Sequence, residues 1–236
     1  MLSNWLTHQI DNCPIIKQKC LLCGQADSHR GLCSPCRDML PMLPAERCPR
    51  CAEPTPGGSL CGPCQRRPPH FDALHVPYLF GYPLSGLLHA FKYGKRLQLA
   101  GVLSGLLSDF AAGQSRKYDF VIPVPLANER LAQRGFNQSG ELAKAFAGTM
   151  NSRFSDDLCW RKYNTLPQAS LARAERLRNV RHAFGVKRRC DGLCIAIVDD
   201  VATSGATLSS LARELKKQGA KRVDAWVLAR AFSPKT

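Results

Sequence analysis

Two groups of residues have the types and spacing to do chemistry. The first is a set of eight cysteines in four Cys-x-x-Cys pairs: Cys20, Cys23, Cys33 and Cys36, then Cys48, Cys51, Cys61 and Cys64. Each pair can turn two thiolates toward one ion, and two pairs supply the four sulfur ligands of a tetrahedral site. The second is the run Val198-Asp199-Asp200-Val201-Ala202-Thr203-Ser204-Gly205-Ala206-Thr207, in which two carboxylates precede three hydroxyls grouped around a glycine. Hydroxyl and N–H donors at that density suit a phosphate dianion, which the carboxylates would repel if aimed at it. Asp199 and Asp200 instead suit neutral sugar hydroxyls, or a magnesium ion held with the substrate. Phosphate plus diol describes a ribose 5-phosphate.

The elements that must position these groups are legible around them. The spacing Cys20-x2-Cys23-x9-Cys33-x2-Cys36 recurs unchanged 28 residues later, from Cys48 to Cys64, which marks an internal duplication. Few large apolar residues lie between the pairs, so the segment needs metal to order itself. Four thiolates close the shell of a zinc ion, which makes two structural zincs and a docking module the expectation; sequential and crossed ligation satisfy the count equally. With the shell complete, His29 reads as a surface residue.

For the acidic run, the apolar residues from Cys194 to Val198 read as a strand buried on both faces. Leu208 to Lys217 reads as a helix closed by Gly219, and Arg222 to Ala229 as a second strand. Strand, crossover helix and strand put the intervening loop at the carboxyl edge of a parallel sheet, where a helix N-terminus faces outward. Upstream, Gln65-Arg66-Arg67-Pro68-Pro69 reads as an exposed connection, giving a cysteine-rich module over 1–67 and an α/β domain over 68–236. Ala73 to Phe80 reads as an edge strand because of Pro77. Leu84 to Phe91 and Leu97 to Phe110 read as helices, Phe120 to Pro125 as a strand, and Gln138 to Met150 as a further helix.

Composition narrows the class. A chain of 236 residues with 33 Lys and Arg against 18 Asp and Glu carries a formal charge of +15, which attracts phosphate esters and nucleic acid alike. No apolar stretch reaches the roughly 18 residues that cross a bilayer, and MLSNWLTHQIDNC lacks a secretory pattern. Metal-type cysteine spacing fits a reducing compartment, so the expectation is a cytoplasmic protein without a membrane span. Cys13, Cys159, Cys190 and Cys194 fall outside the repeat and read as small hydrophobes.

Ile197 to Thr207 resembles the phosphoribosyl pyrophosphate motif of type I phosphoribosyltransferases. Nearly the whole chain is similar to the ComF family of competence and DNA-utilisation proteins, which join a cysteine-rich zinc module to such a domain. The resemblance is carried by the eight cysteines, Phe91-Lys92-Tyr93-Gly94, Pro123-Val124-Pro125-Leu126 with Arg130, Arg134-Gly135-Phe136-Asn137-Gln138, Gln168, Arg176, Asn179 and Ala183-Phe184. It departs from relatives at Ala202 and Ser204, where the serine keeps a hydroxyl.

The resemblance implies a type I phosphoribosyltransferase-like parallel sheet flanked by helices, with an N-terminal double zinc-ribbon-like module. It implies that Asp199 and Asp200 hold ribose hydroxyls, that the loop from Val201 through Thr207 wraps the 5-phosphate, and that Lys92 and Arg130 contact phosphate. Arg134, with Arg130 and Arg176, would stabilise a leaving pyrophosphate in an oxocarbenium-like transfer assisted by magnesium. Two functions follow. One is DNA uptake or use, with phosphoribosyl pyrophosphate or a nucleotide bound, and single-stranded DNA and a translocation helicase as partners. The other is phosphoribosyl transfer in nucleobase salvage. The basic segment from Ala172 to Arg189 fits a hood over the substrate and a nucleic-acid strip equally.

Overall fold

The computed structural model of the chain describes residues 18–28, 30–94, 98–114, 116–162 and 183–232. Cys13, His29, Gln168, Arg176, Asn179 and residues 172–182 of the basic segment lie outside them.

In the first cysteine repeat a short antiparallel pair, β1 (Gln18–Lys19) and β2 (Ala26–Ser28), precedes a five-residue helix, α1 (Ser34–Asp38). In the second repeat the equivalent helix is α2 (Gly62–Arg66). Each helix carries proline in its first turn, where a missing N–H costs nothing, and brings the last cysteine of its repeat inward.

The segment from Ala73 to Phe80 is broken by Pro77 into two short strands, β3 (Ala73–His75) and β4 (Tyr78–Leu79), both parallel to the final strand. Helices α3 (Leu84–Tyr93) and α4 (Gln98–Ala112) follow, then strand β5 (Phe120–Pro123). The chain next forms a short helix over Asn128–Arg134, α5, between the strand and the helix that the sequence pattern marks. Its C-cap, Gly135, has φ 79°, the left-handed conformation that favours glycine. Helix α6 (Gln138–Thr149), the short strand β6 (Arg153–Phe154) and an antiparallel pair, β7 (Cys159–Arg161) with β8 (Phe184–Val186), complete the middle of the chain. The last unit is β9 (Cys194–Ala202), α7 (Ala206–Lys217) and β10 (Arg222–Arg230).

The main sheet has six strands in the order β3-β10-β9-β5-β6, with β4 also on β10, and every pairing is parallel. Period-two alternation splits the central strands between two cores. Ala196, Val198, Trp226 and Leu228 face one layer, built with α3, α4 and α6. Ile195, Ile197, Ala225 and Val227 face the other, built with α7 and the β7–β8 pair. Both faces are therefore covered, as a parallel sheet requires.

The first cysteine repeat does not stand apart from this core. Cys20, Cys33 and Cys36 belong to the same buried cluster as Leu84, Phe91 and Leu103. Arg30 and Arg37 both pair with Asp109 on α4, at 2.9 and 2.7 Å. In the second repeat Cys48, Cys61 and Cys64 form a small cluster of their own. That repeat is tied to the sheet by Arg47, which donates to the Val76 carbonyl at 3.1 Å, and Arg50, which donates to that of Phe71 at 3.3 Å.

Candidate functional site

The sulfur atoms fall into two groups, Cys20/Cys23/Cys33/Cys36 and Cys48/Cys51/Cys61/Cys64, each with its ligand atoms within 4.8 Å of one another. Ligation is therefore sequential, one site per repeat. Burial raises the Cys20 thiol pKa, but backbone N–H groups of Cys23, Cys33 and Leu22 outweigh it and hold it at about 6. Cys48 is lowered to about 7 against the same opposition, by N–H groups of Cys61, Cys51 and Arg50. These donors favour thiolate at Cys20 and Cys48, the form zinc binds, and the two all-cysteine shells fit structural zinc.

The second site lies at the carboxyl edge of the sheet. Strand β9 runs on through Ala202, so Asp199 and Asp200 are strand residues and only Thr203 to Gly205 form the turn. Gly205 is the N-cap of α7 with φ 73°, and a Cβ there would touch the Phe71 ring at 3.6 Å. Ser204 Oγ accepts from the Ala206 N–H at 3.3 Å, so this hydroxyl caps the helix and is absent from the cleft lining. Val201, Ala202, Thr203, Gly205, Ala206 and Thr207 do line it.

The cleft, about 170 Å³, is closed on its other sides by residues from four elements. Helix α3 brings Lys92, whose Nζ lies 2.9 Å from Asp200 Oδ2. Helix α5 brings Arg130 and Arg134. Arg134 donates to Gln138 Oε1 at 2.9 Å and to the Tyr93 hydroxyl at 3.3 Å, with its guanidinium 5.1 Å from the Tyr93 ring centre. The N-terminus of α6 brings Gln138 and Ser139, its Asn137 cap holding the Ser139 N–H at 3.2 Å. Gln138 is buried, and its Nε2 has no hydrogen-bond partner among the described residues.

Thus Lys92, Arg130, Arg134, Asp199, Asp200 and most of the 201–207 loop converge on one cleft. Ser139 and Arg161 were not legible as site residues in the sequence. Ser139 donates to Asp199 Oδ1 at 2.6 Å; only its position just inside the Asn137 cap hinted at it. Arg161 belongs to no motif and reaches the cleft because β7 folds back over it; burial and the nearby Arg130 charge push its pKa down.

Burial, then the adjacent Asp200 charge, pushes Asp199 up to about 6, although Ser139, Lys92 and the Asp200 N–H oppose the shift. A carboxyl with a folded pKa above its unfolded value of about 3.9 stabilises the fold below that value and loses this contribution as pH rises through about 6. Asp199→Asn is therefore expected to raise the melting temperature at pH 8 more than at pH 5. A variant that melts below wild type at pH 8 would contradict this.

Two of the four carboxylate oxygens that a magnesium ion could use in this cleft are already engaged. Asp200 Oδ2 is paired with Lys92, and Asp199 Oδ1 already accepts from Ser139 and from the Asp200 N–H at 3.0 Å. Among the described residues the clusters able to hold a metal are the two cysteine sets.

Fold and cleft together define the class: an α/β domain with a cleft at the carboxyl edge of a parallel sheet, preceded by two four-cysteine sites. Residues 15–65 match the family model described as double zinc ribbon domain. The chain is 34% identical to DNA utilization protein YhgH of Salmonella typhi, over 90% of this chain and 97% of that protein. It is 28% identical to Competence protein F of Haemophilus influenzae, over 86% of this chain and 92% of that one. A solved structure titled as the allosteric regulatory enzyme of purine biosynthesis aligns over 58% of this chain and 29% of its own at 18% identity and TM-score 0.41. The chain belongs to the ComF/YhgH family.

Proposed function

We propose that this protein acts in the uptake or use of DNA, and that its cleft binds a ribose 5-phosphate group, as a nucleotide or as phosphoribosyl pyrophosphate. The observation that carries the cleft reading is the end of β9, where Asp199 and Asp200 stand beside the left-handed Gly205 turn and the N-terminus of α7. Carboxylates accept from the ribose hydroxyls while the helix N-terminus and nearby cations take the phosphate. The names of the relatives support the DNA role.

The zinc ribbons serve as the docking side in this reading. Met39, Met42, Phe80 and Tyr82 are exposed where the stretch between the two repeats meets β4, joined through the Leu79 N–H bond to the Pro41 carbonyl. A DNA-translocation helicase is the partner proposed for that side, with single-stranded DNA held by the basic surface. A second reading, phosphoribosyl transfer to a salvaged base, is favoured by one feature: Arg130, Arg134 and Arg161 line the cleft that holds the acid pair, suited to a departing pyrophosphate.

Calorimetric titration of the zinc-loaded protein with phosphoribosyl pyrophosphate and with ribose 5-phosphate tests the cleft. Changing Asp199 and Asp200 together to Asn is expected to weaken binding roughly 10- to 100-fold, the worth of one or two hydrogen bonds to charged groups. Equal affinity of wild type and double variant would remove the ribose-diol role. Release of pyrophosphate in the presence of a nucleobase would favour the transferase reading.

A further inference from the structure

The charges of the cleft are arranged for a ligand without a divalent cation. Lys92 Nζ and Asp200 Oδ2, 2.9 Å apart, are both largely withdrawn from solvent, with side chains 22% and 10% exposed. An ammonium here supplies positive charge beside the acid pair without demanding a coordination shell. Magnesium would need near-octahedral oxygen ligands at about 2.1 Å and gives up its waters reluctantly. To ligate it through Oδ2, Asp200 would have to release Lys92, leaving a largely buried ammonium without its counter-ion.

The charge count points the same way. Among the described residues, Lys92, Arg130, Arg134 and Arg161 line the cleft against Asp199 and Asp200, leaving an excess of two positive charges. A phosphate monoester carries roughly −1.5 to −2 at neutral pH and balances that excess alone. A pyrophosphate on the same sugar brings charge beyond it. Gln138 adds a neutral donor: its Oε1 is held by Arg134, and its buried Nε2 has no partner among the described residues. A phosphate oxygen would satisfy such a group.

We propose that the resident ligand of this cleft is a ribose 5-phosphate monoester, a nucleoside 5′-monophosphate or the free sugar phosphate, bound without magnesium. Lys92 does the work that a divalent cation would do for a pyrophosphate. The inference rests on the ribose 5-phosphate reading given above and narrows it to the monoester.

The test titrates full-length, zinc-loaded protein with ribose 5-phosphate and with AMP. Each is run once in magnesium and once in magnesium-free buffer, freed of divalent cations by resin treatment of the buffer so that the zinc sites are spared. Wild-type affinity for at least one of the two is expected to agree between buffers within about twofold, and which of them binds tighter separates nucleotide from free sugar. Lys92→Ala, checked for an unchanged far-ultraviolet spectrum and a cooperative melting transition, is expected to lose roughly tenfold or more in magnesium-free buffer, the scale of one charge-assisted contact. Binding by wild type only when magnesium is present overturns the inference and leaves the ribose-phosphate reading standing. So does a Lys92→Ala variant that binds as tightly as wild type without magnesium. If neither monoester binds in either buffer, phosphoribosyl pyrophosphate with magnesium decides the rest. Binding of it alone overturns the inference only, and no binding overturns both.

Discussion

Cys33→Ser is expected to release one of two zinc ions and to unfold the protein well beyond the first ribbon. Structural zinc sites of this kind supply about 10 kcal/mol or more of folding free energy, comparable with the whole stability of a domain. The reach of the effect comes from position. Cys33 is buried in the cluster that holds Leu84, Phe91 and Leu103, and neighbouring Gly31 leaves no room beneath it, since a Cβ there would lie 2.6 Å from Val102. Opening the first site therefore exposes the layer formed by α3 and α4, and with it Lys92 of the cleft. Cys64→Ser is the matched comparison, because the second cluster packs on itself. It should lose one zinc yet keep a cooperative, if lower, melting transition and ligand binding. Zinc content per chain and differential scanning calorimetry report both results. Similar melting of the two variants would mean that the first ribbon is not part of the main core's stability.

Asp224→Asn is expected to cost about 3–5 kcal/mol at pH 7, the usual penalty for breaking a buried charge network from one side. Asp224 is fully buried at the start of β10. Its Oδ2 accepts from the Tyr118 hydroxyl at 2.8 Å and from Arg222 Nε at 3.0 Å, with His75 Nε2 at 3.6 Å and Arg116 at 3.8 Å. Tyr118 in turn accepts from the Trp226 indole N–H at 3.0 Å, and the Trp226 ring stacks on His75 at 4.2 Å.

Burial pushes the Asp224 carboxyl pKa up, but His75, Arg222 and Tyr118 outweigh it and hold it at about 2. A folded pKa below the unfolded value of about 3.9 means that the contribution is present above pH 4 and is lost as pH falls through about 2. The gap between wild type and Asp224→Asn should therefore be full at pH 7 and should shrink between pH 4 and pH 2. Urea denaturation of the pair measures it as a difference over the pH range in which both chains remain folded. A gap that stays constant with pH would rule out the carboxylate as its source.

The two chemical centres differ in how far the sequence revealed them. The cysteine spacing defined the ligand sets because a Cys-x-x-Cys knuckle is a local object whose geometry needs no distant partner. What spacing left open was the pairing of knuckles, and the separation of the sulfurs into two groups decided it. In the acidic run, the strand, turn and helix were legible from apolar content, Gly205 and the following period. The strand proved longer than expected, because β9 stays paired with β10 as far as Ala202 opposite Arg230. Helix α5 was missed because seven residues bearing three charges show little apolar periodicity.

By itself, the sequence determined that the chain carries two four-cysteine sites and a βαβ unit with a glycine turn, since both arise from interactions within a few residues or one crossover. It also specified both faces of the sheet, because alternation in β9 and β10 already names the residues that turn each way. Only the tertiary structure decided that the first ribbon shares the main core, that Ser139 and Arg161 join the acid pair, and that Lys92 sits on Asp200. Those contacts link residues 60 and 108 positions apart, as Ser139 does with Asp199 and Lys92 with Asp200. Contacts of that range leave no local period, cap or spacing, and exist only once parallel pairing has brought α3, α6 and β9 to the same edge.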